Sequence, residues 1–213
     1  MGLHFYGGEI LVVDYLGYVD VFCGQTKVRS WGPESSAERV TLFAGSAILG
    51  TRLCVSGQRG LHIYDIATGR LVWESAERAW NAGARYAGAL AVYGKMLYEV
   101  FELGATDAER GEFYVRTVHT AVESKEDSGY VFVSEMILSM PLAKSRDKAR
   151  RDLSAKIAVD SRGIFAWSEF ELALFGFDGT LLRHTPLGDY DSLVVAPGGD
   201  AYSLSGSVVS VWR

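Results

Sequence analysis

The chain has 213 residues, 48% hydrophobic and 22% charged, which is the balance of a folded globular protein with one domain, residues 1–213, and a core of useful size. A formal net charge of −5 argues against a generic binder of nucleic acid or of anionic membranes. His4, Glu9 and Asp14 interrupt the apolar N-terminal stretch, so neither a signal peptide nor a membrane span is expected, and a soluble cytoplasmic protein is.

Taken in order, LHFYGG, ILVVDYLG, YVDVFCG and KVRSW read as four short strands that carry the chain to Trp31, with glycines at the turns. Residues 32–39 are polar, with Pro33 and two serines, and read as a link. VTLFAGSAILG, residues 40–50, reads as an inner strand whose small residues suit a crowded centre. The chain is organised around the next stretch, GTRLCVSGQRGLHIYDIATGRLVW, residues 50–73, which reads as three strands and two turns. Leu53 and Val55 alternate with polar neighbours, Gly57 and Gly60 bracket a tight turn, and Leu61, Ile63 and Ile66 resume the apolar run. In DIATG, the Asp65 and Thr68 side chains can bond nearby backbone N–H groups, and Gly69 tolerates positive φ. Leu71, Val72 and Trp73 form the third strand.

The same unit recurs upstream. Setting Trp31 on Trp73, a shift of 73 − 31 = 42 residues, puts Gly8 on Gly50, Leu11 on Leu53, Val13 on Val55, Val21 on Ile63, Phe22 on Tyr64 and Thr26 on Thr68. A period of that size points to stacked four-stranded units such as propeller blades. The order of strand, Gly turn, apolar-apolar-Asp, Thr-Gly and Trp resembles the repeat of the quinoprotein-like (PQQ-repeat) β-propellers. It is clear at 50–73 and weaker at 8–31, where Cys23 stands for the Asp and Lys27 for the Gly. Residues 163–184 keep Asp178-Gly179-Thr180 but carry His184 near the Trp place. The resemblance implies that Trp31 and Trp73 pack between neighbouring blades; no cofactor site comes with it.

After a connector at 77–85, YAGALAVYG and KMLYEVFE open a third unit that departs from the repeat. A charged turn region from Gly104 to Gly111 precedes the long alternating FYVRTVHTAV, and a polar tip from Glu123 to Gly129 precedes YVFVSEMILSMP. Long strands with polar tips suggest a projecting hairpin or an edge extended for contact. AKSRDKARRDLSAK follows, residues 143–156, with six basic and two acidic residues, a local balance of 6 − 2 = +4 in an acidic chain. It reads as a short exposed helix or a loop. A fourth unit runs through KIAVDSRG, IFAWSEF, ELALFGFDG and TLLRHTP, and a fifth through SLVVAPGGD, AYSLSG and SVVSVWR, ending after its third strand. An N-terminal strand shared with the last blade could close the ring, but LHFYGG is also needed in the first. The expected fold is therefore all-β, a small propeller of five blades of mostly four antiparallel strands, with an unclosed edge open to a homo-oligomer or a partner strand.

No Gly-rich phosphate loop with a following Lys-Ser or Lys-Thr is present, and no GxSxG elbow. His4, His62, His119 and His184 are scattered, so no zinc site is expected. Cys23 and Cys54 lack CxxC spacing and are expected as buried free thiols, or as a disulfide between adjacent blades. Asp14, Glu99, Asp160 and Glu169 lie near strand ends and are the candidates for a carboxylate pair in a central cavity, as in glycoside hydrolysis; the alternative for each is a turn cap. The expectation is a non-catalytic scaffold for protein–protein contact, with no cofactor and no metal. Its contact residues would be Lys144, Arg146, Lys148, Arg150 and Arg151 for an acidic partner, with Arg78, Trp80 and Arg85 behind them. A small carbohydrate-active or other hydrolytic enzyme is the competing class, and a subunit of a larger assembly the third.

Overall fold

The computed structural model describes residues 2–32, 43–57, 60–74, 86–105, 110–119, 131–141, 156–167, 171–186, 192–195, 200–205 and 208–212. All secondary structure in these residues is β, and consecutive strands pair antiparallel into five sheets. Sheet A holds β1 (Gly2–Tyr6), β2 (Glu9–Val13), β3 (Val19–Cys23) and β4 (Thr26–Trp31). Sheet B holds β5 (Phe43–Leu49), β6 (Arg52–Gly57), β7 (Gly60–Asp65) and β8 (Leu71–Glu74). Sheet C holds β9 (Tyr86–Tyr93), β10 (Met96–Ala105), β11 (Arg110–His119) and β12 (Val131–Pro141). Sheet D holds β13 (Lys156–Asp160), β14 (Gly163–Trp167), β15 (Glu171–Phe175) and β16 (Leu181–Pro186). Sheet E has β17 (Ser192–Val195), β18 (Ala201–Ser205) and β19 (Val208–Trp212).

Strands alternate their side chains between two faces, and this chain makes both faces of its middle sheets apolar, so each sheet buries itself against the next. Leu11, Val13, Val19 and Val21 of sheet A meet Leu53, Val55, Tyr64 and Ile66 of sheet B in one buried cluster. The opposite face of sheet B sets Cys54, Leu61 and Ile63 against Leu90 and Leu97 of sheet C. Tyr98, Val100 and Leu138 of sheet C then meet Ile157, Ile164, Ala166, Ala173 and Phe175 of sheet D. Each fully buried Leu, Ile or Val contributes about 1.5–3 kcal/mol against an exposed one. The first strands also adjoin in series, β1 beside β5, β5 beside β9 and β9 beside β13. Meander sheets stacked face to face with their first strands gathered together make the fold propeller-like. Gly45 allows the gathering: a Cβ there would sit 3.0 Å from the Leu90 nitrogen and 3.2 Å from the Ala89 Cα.

The 42-residue superposition holds for β3 and β7 but slips by one in the preceding strands. The β1–β2 turn closes on Tyr6 and Glu9 and the β5–β6 turn on Leu49 and Arg52, an offset of 52 − 9 = 43. Leu11 and Val13 therefore point toward sheet B, whereas Leu53 and Val55 point back at them. Because strand side chains alternate, the one-residue slip exchanges the faces. In sheet C, β10 and β11 run to 10 residues and β12 to 11, longer than any other described strand. The charged turn expected from Gly104 to Gly111 narrows, since Gly104, Ala105, Arg110 and Gly111 belong to the strands. The polar tip at 123–129 and the basic segment at 143–155, read as helix or loop, lie outside the described residues.

Candidate functional site

The expected contact residues Arg78, Trp80, Arg85, Lys144, Arg146, Lys148, Arg150 and Arg151, and the carboxylate candidate Glu169, all lie outside the described residues. The other three carboxylate candidates separate into two kinds. Asp14 Oδ1 accepts the N–H groups of Leu16 and Tyr18 at 2.8 and 2.9 Å, closing the β2–β3 turn. Asp160 Oδ1 accepts the Arg162 N–H at 2.8 Å, and its Oδ2 takes an Arg162 guanidinium nitrogen at 2.9 Å. Both carboxylates serve turns, the ordinary task of Asp at strand ends. Asp65 does the same through the Thr68 N–H and hydroxyl, at 2.9 and 2.8 Å, and pairs with Arg52. The Thr68 hydroxyl first, then its N–H, holds the Asp65 carboxyl below its usual range. Asp178 is lowered likewise, by the Thr180 N–H first.

Glu99 is different, being a fully buried carboxylate on β10 that faces sheet B. There it accepts a hydrogen bond from the Ser56 hydroxyl on β6, itself fully buried. Hairpin registers place the pair in a repeated setting. Counting from the turn that opens each second strand, Val13, Ser56 and Val100 face forward at one level, and Val55, Glu99 and Ala166 face back at the next sheet's matching level. Val13 and Val55 share the cluster between sheets A and B, and Val100 and Ala166 that between sheets C and D. At this level the B–C interface is thus polar where its neighbours are apolar. β-Bulges flank it, in β5–β6 beside Gly45 and Ser56 and in β9–β10 beside Glu99. Cys54 lies in the same interface, and burial, then the Glu99 charge, pushes its thiol up to about 12. Such a thiol is a small buried hydrophobe and not a nucleophile. Cys23 is exposed, which corrects the expectation of two buried thiols, and both cysteines are free, which removes the disulfide.

Between sheets A and B the polar groups form a line from the inner strands outward. The His4 ring nitrogen Nε2 lies 2.6 Å from the Ser46 hydroxyl across β1 and β5, and burial lowers the His4 pKa. Further out, Arg29 pairs with Glu9 at 2.6 Å and stands 5.6 Å over the Trp31 ring. Trp31 closes on the Gly69 turn of sheet B, where an added Cβ would meet its ring at 2.9 Å, and Trp73 packs on the B–C cluster. Both tryptophans therefore pack between sheets, as expected. Among the described residues no group of three His, Cys, Asp or Glu could hold a metal ion, and no helix is long and apolar enough to cross a membrane.

The surface that sequence reasoning missed is the second face of sheet A. Register sets Leu3, Val12, Asp20 and Ser30 in one row and Phe5, Ile10, Phe22 and Lys27 in the next, on the face turned away from sheet B. Leu3 is 60% exposed and Phe5 75%. Asp20 accepts from Ser30 at 2.6 Å and pairs with Lys27 at 3.4 Å, so the apolar patch ends in a polar rim along β3 and β4. In sheet E, Tyr202 lies opposite Val211 and Leu204 opposite Val209, which puts Tyr202, Val209 and Val211 on one exposed face. The unbroken run Ile10-Leu11-Val12-Val13 was the available signal, because a strand apolar at every position is apolar on both faces.

No family model matches the chain, and no curated protein does. It is similar to solved structures. One is a protein of unknown function from Bacteroides caccae, with a TM-score of 0.60 and 14% identity over 97% of this chain and 72% of that one. Another is the extracellular domain of a hybrid two-component system from B. thetaiotaomicron, with a TM-score of 0.48 and 10% identity over 100% of this chain and 31% of that one. At 14% identity the first likeness is one of fold.

Proposed function

We propose that this chain is a non-catalytic β-propeller scaffold that binds protein, in the cytoplasm, through its loops and its outward sheet faces. In this reading the unit at 50–73 is a blade of the quinoprotein-like type used as a frame. The observation that carries it is the apolar surface at the two terminal sheets, with Leu3 and Phe5 on sheet A and Val209 and Val211 on sheet E exposed. Contiguous exposed apolar side chains with a polar rim are what a contact surface needs. Asp14 and Asp160, by contrast, are tied into their own turns, which leaves Glu99 as the one described candidate that faces the interior. The basic residues Lys144 to Arg151 add a second contact, matched to an acidic partner.

Affinity capture from lysate of the native host, nuclease-treated, tests the scaffold reading. Wild type is compared with a form carrying Lys148→Glu, Arg150→Glu and Arg151→Glu and with a second carrying Phe5→Glu. Specific proteins retained by wild type and lost by a variant of unchanged circular dichroism support the reading. Capture of nothing by wild type, together with hydrolysis of a glycan panel abolished by Glu99→Gln, would replace it with the enzyme.

A further inference from the structure

The interfaces A–B, B–C and C–D are built to one plan, and one contact sets the middle one apart. Near the opening turns, Leu53, Leu97 and Ile164 face back from sheets B, C and D, and aliphatic side chains so alike in size do not distinguish one forward face from another. The next level does distinguish them. There the forward faces of sheets A, B and C present Val13, Ser56 and Val100, and the back faces of sheets B, C and D present Val55, Glu99 and Ala166. Val13 set on the back face of sheet C would bring an apolar side chain onto a fully buried carboxylate and remove the hydroxyl that donates to it. Ser56 set on Val55 or Ala166 would be buried without its acceptor. Of the combinations of a forward with a back face, only B on C forms the Ser56–Glu99 hydrogen bond and leaves every other position at this level apolar against apolar.

We infer that the Ser56–Glu99 contact is a selection device: it admits only the forward face of sheet B to the back face of sheet C, and so keeps the sheets of one copy from taking the places of another's while the chain folds. Within one chain, sequence order favours the native neighbours. Between copies it imposes nothing, and exchange of like units is the characteristic misassembly of repeat folds. The aliphatic clusters supply the packing free energy at all three interfaces without naming a partner. A buried polar pair works the other way. It adds little over a well-packed apolar pair in the right arrangement, and it penalises every wrong arrangement by the desolvation of its unmatched members. Its place in the middle interface lets one contact divide the chain into two halves, A with B and C with D, that join in one way.

Refolding of the purified full chain from urea at rising protein concentration tests this, read by size-exclusion chromatography with light scattering and by the proton–nitrogen correlation spectrum of the recovered protein. Wild type is expected to return to its native species, with one set of backbone resonances, at every concentration. The double variant Ser56→Val with Glu99→Val is expected to return to that species in dilute solution and to lose it to larger assemblies as concentration rises, with extra resonances from sheets B and C. Glu99→Gln keeps an oxygen that accepts from the Ser56 hydroxyl and should refold as wild type does. Val55→Ala, which weakens the A–B interface and leaves the pair intact, should lower the urea midpoint and still refold to the native species. Recovery of the double valine form as complete as that of wild type, with one set of resonances, overturns the proposal. Assembly of Glu99→Gln or Val55→Ala to the extent of the double variant also overturns it, because hydrogen-bond matching is then not what selects the partner. Ser56→Ala with Glu99→Leu supplies a second apolar pair should the first fail to fold; failure of both at every concentration overturns the proposal as well, the pair then being required for the fold itself and not for the choice of partner.

Discussion

Ser56 and Glu99 meet 43 residues apart in sequence, both fully buried, at a level where the neighbouring interfaces hold Val13 with Val55 and Val100 with Ala166. Three variants isolate the pair: Ser56→Val, Glu99→Val and both together. The double variant rebuilds the valine contact of the A–B interface, and the volume gained at 56 partly replaces the volume lost at 99. Removing the Ser56 hydroxyl takes a charge-assisted bond from a buried carboxylate and costs about 1.5–3 kcal/mol. Glu99→Val alone strands the serine hydroxyl in an apolar interface and costs about 1–3 kcal/mol. Replacing both partners by apolar groups removes the two penalties together, as replacement of buried polar pairs in general does. The double variant therefore lies below the sum of the singles by about 1–3 kcal/mol. Urea unfolding at neutral pH, followed by tryptophan fluorescence, reads all four forms at a common slope. Single losses that add to within about 0.5 kcal/mol would refute the coupling and with it the contact.

Native protein should titrate one thiol, Cys23, with a soluble disulfide reagent, and Cys54 only on unfolding; two fast thiols would contradict the burial of Cys54. The His4 pKa is lowered from 6.5 by burial, so the unfolded chain binds the extra proton first. Its contribution is complete above 6.5 and is lost as pH falls toward the folded value; stability of His4→Gln should fall less over that window, and a parallel loss removes His4 as the cause. Asp65 and Asp178 also have lowered pKa values, so their contributions hold above the usual carboxylate range and disappear as pH falls through the folded values. Asp65→Ala should accordingly flatten the acid limb of a stability–pH profile, and an unchanged limb counts against the turn bonds. Gly163 has φ of +145°, and an added Cβ would lie 2.0 Å from the Phe175 carbonyl oxygen. Gly163→Ala should cost about 2 kcal/mol or more by urea midpoint, and a near-neutral result would mean that β14 and β15 part easily.

Local signals were legible because they act over two to five residues. Short apolar runs between turn residues marked strands, from ILVV in β2 to LVW in β8, and DIATG announced a turn whose Asp65–Thr68 bonds and positive φ at Gly69 the structure shows. Trp31 and Trp73 share one repeat position, and both pack between sheets. Which residues face each other was another matter. Leu11 and Leu53 looked equivalent in sequence and instead oppose one another, because one residue more or less before a strand turns its side chains over. Asp14 and Asp160 were indistinguishable from Glu99 as strand-end carboxylates until hydrogen bonds assigned two to turns and one to a buried interface. The sequence alone determined that this chain is a series of short antiparallel strands with turn chemistry at regular intervals. Only the tertiary structure decided the Ser56–Glu99 contact and the uncovered face of sheet A, since both depend on register across sheets, which long-range packing sets and local pattern does not carry.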